Sequence, residues 1–140
     1  MAKFAQGRFA MKYPDKYVGG KTPLYRSSWE LHFLKWCDRN DAVLKYASEE
    51  FSIPYVSPVD GKRHKYYPDF YVKIKGKKYM VEVKPFKQTK EPKTQKKITK
   101  RYISEVLTWA VNKAKWNAAE EVCQDNGYKF MIITEKELGV

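Results

Sequence analysis

Little in this chain of 140 residues can staple it or tie it to a membrane. Cysteine is scarce: Cys37 and Cys123 lie far apart, form no CxxC pair, and are not spaced with His32 or His64 as zinc ligands. That excludes a disulfide scaffold or a zinc finger, and both cysteines are expected as small apolar residues on helices, in a reducing compartment. No apolar run approaches the roughly 18–20 residues that span a bilayer, and the N-terminal segment lacks the continuous apolar core of a secretory signal. A soluble intracellular protein without a membrane partner is expected. Acids are also in short supply, 16 Asp and Glu against 28 Lys and Arg, giving a formal net charge of +12. Such an excess calls for a polyanionic partner, most simply nucleic acid; charge alone does not separate that from membrane surfaces or acidic proteins.

What is present is enough for one folded domain, since 43% of the residues are hydrophobic and 16% aromatic. Residues 1–24 are basic and punctuated by Pro14, Gly19, Gly20 and Pro23, which predicts an arm with little regular structure. Its Lys3, Arg8, Lys12, Lys16 and Lys21 could follow phosphates or simply be solvated. Residues 25–140 are expected to form the domain. The run Ser27-Ser28-Trp29-Glu30 is a capping box that opens a helix over 28–39, with Trp29, Phe33, Trp36 and Cys37 as its apolar face. Strands are predicted over 43–47, 50–55, 65–74 and 78–84. The first pair is followed by a hairpin turn at Asp60-Gly61 and the last strand is stopped by Pro85. A long helix over 94–125 carries a stripe of Ile103, Leu107, Ala110, Ala114, Ala118 and Val122, and Gly127 sits where a C-cap belongs. A strand over 128–133 and a short helix starting at Thr134 complete the series. The expected class is α/β: a central mixed sheet, an antiparallel meander plus one further strand, flanked by helices in the order α-β-β-β-α-β.

The chemistry concentrates in Pro68-Asp69-Phe70 and Val81-Glu82-Val83-Lys84. Strand alternation places Asp69 on the face opposite Phe70 and Val72, and places Glu82 and Lys84 with Met80, away from Tyr79, Val81 and Val83. Neighbouring antiparallel strands can then aim Asp69, Glu82 and Lys84 at one point. Acids inside apolar strands are costly unless a partner compensates them. Two carboxylates, with the backbone carbonyl of Val83, form a fitting oxygen set for Mg²⁺, with Mn²⁺ able to substitute. Lys84 is then placed to orient a water or to stabilise charge on a phosphate undergoing attack. A cross-strand ion pair on a solvated face is the bland alternative.

Asp69, the short gap and Glu82-Val83-Lys84 resemble the PD-(D/E)xK pattern of restriction-endonuclease-like nucleases. The predicted element order resembles theirs, and Glu30 matches the extra acid that family often carries on its first helix, although the capping box explains Glu30 as well. Tyr25-Arg26-Ser27-Ser28-Trp29-Glu30, Ile53-Pro54-Tyr55, Pro58-Val59-Asp60-Gly61-Lys62-Arg63-His64 and Tyr67-Pro68-Asp69-Phe70 look like the head-completion nucleases of tailed phages. The TnsA transposase endonuclease is similar too, down to Gly127-Tyr128 and Phe130 followed by Thr134-Glu135. The further domain through which TnsA meets its partners has no counterpart here, which counts against a transposition role. The resemblance spans about residues 23–138. It implies a Mg²⁺-dependent endonuclease on double-stranded DNA that processes or protects packaged ends. Its catalytic residues would be Glu30, Asp69, Glu82 and Lys84, its metal ligands Asp69, Glu82 and the Val83 carbonyl. Phage head or neck proteins and a second copy of the chain are the implied partners, and the host cytoplasm and the virion the implied locations. A non-catalytic DNA-end-binding virion protein and a junction-resolving or TnsA-like nuclease stand as alternatives.

DNA contacts are expected from Arg26, which could equally be a helix-start ion pair, and from the hairpin tip Lys62, Arg63, His64 and Lys65. The richest stretch is residues 84–101, where Lys87, Lys90, Lys93, Lys96, Lys97, Lys100 and Arg101 face a single acid, Glu91. Glu49 and Glu50 are read as a solvated pair, and Trp109 and Trp116 as core.

Overall fold

The computed structural model describes residues 6–140. A four-stranded mixed sheet organises the chain, in the spatial order β3 (Val43–Ser48), β6 (Phe70–Ile74), β7 (Lys77–Val83) and β8 (Tyr128–Ile133). The first three strands are antiparallel and β7 pairs parallel with β8. Parallel neighbours need a crossover, and α2 (Lys100–Asn126) supplies it. Two short pairs flank this sheet: β1 (Gly7–Arg8) with β2 (Leu24–Tyr25), and β4 (Ile53–Val56) with β5 (Arg63–Tyr66). The elements between and after them are α1 (Ser28–Arg39) and α3 (Glu135–Leu138). The expected class and element order are those observed.

Alternation along the strands separates two cores. Phe70, Val72 and Val81 meet Phe33, Leu34 and Cys37 of α1 on one face. Met80 meets Trp116, Ala119 and Cys123 of α2, with Ile53 and Tyr66 of the β4–β5 hairpin, on the other. The helix ends follow the sequence in part: α1 forms the Ser27 half of the expected capping box, and α2 opens at Lys100 on a Thr99 cap, later than the expected start at 94. The Ser27 hydroxyl accepts from Glu30 N at 3.2 Å, and Gly127 closes α2 in the left-handed region at φ 76°. Both cysteines are buried and unpaired. No helix among the described residues is long and apolar enough to cross a membrane.

Four expectations need correction. The single strand over 65–74 is two strands in different sheets, β5 and β6, separated at Tyr67-Pro68-Asp69. Proline cannot donate to a ladder and biases its predecessor, so the chain changes sheets there. The buried face of α1 is Phe33, Leu34, Cys37 and Asp38, whereas Trp36 is 41% exposed. The predicted stripe of α2 is also displaced. Asn112, Trp116, Ala119 and Cys123 are buried, whereas Ile103 and Leu107 are 47% and 45% exposed. The cause is length: the 27 residues of α2 extend about 40 Å, and the six residues of β8 beneath it only about 20 Å. The sheet covers the C-terminal half, and the N-terminal half runs past it.

The fourth concerns the arm. From Gln6 onward it is docked on the domain. Phe9 is buried against α1, and the buried carboxylate of Asp38 accepts from Lys12 N and Tyr13 N at 2.9 and 3.0 Å. Lys16 Nζ donates to the carbonyls of Asp38 and Asn40, so it is spent on a helix end and not on phosphate. Lys3 lies outside the described residues.

Candidate active site

Continuing the β6–β7 register past the Phe70–Val81 pair sets Asp69 opposite Glu82. Both side chains open into a cleft of about 330 Å³ whose wall also includes Arg26, Glu49, Lys65, Tyr66 and Lys115. Asp69 Oδ2 accepts from Val83 N at 2.8 Å, so the aspartate is fixed to the strand bearing the glutamate. Glu82 is only 6% exposed. Its Oε1 accepts from the Tyr66 hydroxyl at 2.7 Å, and Lys84 Nζ stands 3.5 Å from its Oε2. Lys84 in turn is held through its backbone, which donates to Ile133 O at 2.9 Å. Asp69, Glu82 and Lys84 thus gather at the end of β7. Because Glu82 is buried, the pair it forms with Lys84 is not the solvated surface pair that the sequence left open.

The three acids of this region share one electrostatic environment. Burial pushes the Asp69 carboxyl well above its ordinary range, and the nearby Glu82 and Glu30 push in the same direction. Burial likewise raises Glu82 against the opposing pull of Lys84, Tyr66 and Lys115. Glu30 is raised by burial, with Glu49 and Glu82 adding to it. It therefore belongs to the same electrostatic cluster while also serving the first turn of α1. Three carboxyls that resist ionisation are what a cation relieves, and carboxylate oxygens suit a hard divalent ion. Among the described residues no three His, Cys, Asp or Glu side chains could hold an ion by themselves. Asp69 and Glu82 would need the Val83 carbonyl or water to complete a coordination shell.

Other expected contacts separate into groups. Arg26 is paired with Glu49, donating to both carboxylate oxygens, the second at 3.1 Å. Glu49 sits at φ 50°, unusual for a residue with a side chain, and its N–H bonds Asp69 O. Glu50 accepts from Gly20 N. The expected solvated pair is therefore engaged at both positions. On the hairpin, Lys65 reaches the cleft, while His64 bonds Asp60 at 2.8 Å and stacks on Tyr55, away from the acids. Lys62 and Arg63 are exposed at the tip. Lys87, Lys90, Lys93 and Arg101 line a second depression beyond the cleft, and Lys96, Lys97 and Lys100 are exposed.

Sequence patterning does not point to two of the cleft residues. A continuous strand over 65–74 would put Tyr66 on the face away from Asp69; the break at Pro68 turns it toward Glu82. Lys115 precedes Trp116 on α2, with its ammonium 5.9 and 5.7 Å from the ring centres of Tyr55 and Tyr66. A basic residue beside a buried tryptophan is the available signal, but it indicates a side only once the helix rotation is known.

A helix-flanked mixed sheet with an acid pair and a lysine at one strand end defines a restriction-endonuclease-like core. The family model of the TnsA-like endonuclease N-terminal domain matches residues 40–135, and the chain belongs to that family. It is also similar to the head completion nuclease of Enterobacteria phage T4, 37% identical over 138 residues that cover 94% of this chain and 92% of that protein. The family match takes in Asp69, Glu82 and Lys84 and begins after Glu30.

Proposed function

We propose that this protein is a Mg²⁺-dependent DNA endonuclease that works on DNA ends when a phage head is completed. The convergence of Asp69 and Glu82 beside Lys84 carries the reading. Asp69, Glu82 and the Val83 carbonyl would hold the ion. Mg²⁺, or Mn²⁺ in its place, would lower the pKa of a coordinated water and draw charge from a phosphoryl oxygen. Lys84 faces the same point and supplies a cation for the oxygens that gain charge as water attacks phosphorus and the leaving oxygen departs. Glu30, at the edge of the cluster, accepts a hydrogen bond from the attacking water and orients it. The exposed Lys96, Lys97 and Lys100 and the hairpin tip grip the double-stranded DNA through its phosphates, and Lys87, Lys90, Lys93 and Arg101 contact the DNA next to the cleft. The name of the T4 relative suggests head proteins as partners, with action in the host cytoplasm and residence in the virion; a second copy of the chain would allow both strands to be cut.

Plasmid incubated with the purified protein should be cleaved with Mg²⁺ or Mn²⁺ and left intact in EDTA. Asp69→Ala and Lys84→Ala should each lower cleavage by at least about 10²–10³-fold, while DNA binding in EDTA persists. Full activity in either variant overturns the assignment. Binding without cleavage by the parent protein at high excess would favour a non-catalytic end-binding role. Preferential cutting of branched DNA would indicate a junction resolvase.

A further inference from the structure

Two segments connect the cleft with the second depression. One runs from Glu82 of the cleft through Lys84 and Pro85 to Phe86 and continues through the lysine-rich loop. The other is α2, where Lys115 lines the cleft and Asn112, about one turn earlier, lines the space beyond. Between the walls lies a groove of about 910 Å³, against about 330 Å³ for the cleft itself. Such a volume is far more than one phosphate needs.

The lining combines Lys87, Lys90, Lys93 and Arg101 with the aromatic rings of Tyr102 and Trp109. Of the acids there, Glu105 is engaged by Arg101 at 3.2 Å, and Glu91 opposes the remaining three lysines. Tyr102 and Trp109 are seven residues apart, hence two turns apart on one face. Trp109 is braced edge-to-face on the buried Trp116 with ring centres 6.1 Å apart, so its position is fixed by the core. Phe86 bears cations on its ring, Lys136 at 3.5 Å and Lys90 at 5.3 Å, and contributes to the charge of the wall more than to its open aromatic surface.

We propose that this groove binds an unpaired DNA strand leading into the catalytic cleft, so that the enzyme selects frayed or tailed ends over uninterrupted duplex. Cations spaced along a wall follow a phosphate backbone, and aromatic rings on the same wall take bases by stacking. Inside a duplex the base faces are covered by their neighbours, whereas an unpaired strand offers successive faces to Tyr102 and Trp109. The helix from Arg101 to Asn112 runs about 16 Å, room for a few nucleotides of an extended strand. The inference rests on reading the cleft as the nuclease centre, because that gives the strand its direction.

Binding of a short fluorescent oligothymidylate and of a blunt duplex of equal length, both in EDTA at the same salt, tests the groove independently of catalysis. The oligothymidylate should bind more tightly. Trp109→Leu should weaken its binding about tenfold or more, leave the duplex unaffected, and be rescued by Trp109→Phe, with melting curves checking that each variant is folded. With Mg²⁺, a duplex carrying an unpaired tail should be cut faster than its blunt counterpart. No preference for oligothymidylate, or equal loss of both ligands in Trp109→Leu, overturns the groove even if cleavage proceeds. Retained oligothymidylate preference with no cleavage of any substrate leaves the groove standing and removes the nuclease reading.

Discussion

Glu82 is held by the Tyr66 hydroxyl and by Lys84, and the positive charge of Lys115 on α2 acts on it from farther away. Each of these favours its ionised form, against burial, which favours the neutral one. Tyr66→Phe removes a donor to a charged acceptor, an interaction of about 1.5–3 kcal/mol. The Glu82 pKa then rises, so the acidic limb of the pH–rate profile should move to higher pH, with activity on that limb falling about tenfold or more. A profile that only drops in height, without moving, would show that Tyr66 does not act through Glu82. The acids also act on stability. A carboxyl whose folded pKa is raised binds its proton more tightly when folded. Its contribution is present below the ordinary carboxylate range and is lost as pH rises through the elevated value. At neutral pH without metal, Asp69→Asn should therefore melt a few degrees above the parent, since asparagine keeps the acceptor for Val83 N. The gap should close in acid, where both forms are neutral. A lower melting temperature for the variant at neutral pH would refute the repulsion. Asp69, Glu82 and Lys84 were legible because strand period is a local property. Tyr66 and Lys115 were not, because a sheet change and a helix rotation are set by distant packing.

Asp38 shows the same division at the level of elements. The span of α1 follows from its cap, but which side it buries depends on what covers it, and the covering N-terminal segment reads in the sequence as an arm standing apart. Asp38 draws that segment down through two backbone N–H donors. Asp38→Ala should destabilise the protein by about 2–3 kcal/mol in urea titration. Amide exchange at Lys12 and Tyr13 should accelerate along with it; unchanged exchange there would mean that Phe9 and Pro23 hold the segment unaided. The C-terminal end of α2 was readable from its glycine cap, but its start was expected at 94 and falls at Lys100, behind the Thr99 cap. How much of the helix would be covered was not readable, because that depends on the six-residue strand it packs against. The uncovered half became one wall of the groove, so the part of the helix that departs most from the predicted stripe is the part that faces the lysine-rich loop.

Across the whole molecule, the formal charge of +12 sets the character of binding. Affinity for duplex DNA should fall linearly on a log–log plot against salt, and removing one phosphate-neutralising cation should flatten the slope by about 0.9. Replacing Lys87, Lys90 and Lys93 together by alanine should flatten the slope for oligothymidylate by about 2, at about 0.7 per cation on a single strand, as measured by anisotropy across a salt series. An unaltered slope would place the strand elsewhere, on the hairpin tip or the cleft rim.

The bond from Lys84 N to Ile133 O joins residues from distant parts of the chain. During translation, the two acids and the lysine leave the ribosome long before the strand that aligns the lysine. A nascent chain therefore carries the reactive groups without their arrangement. If these groups cut DNA as proposed, competence to cut waits for β8 to pair with β7.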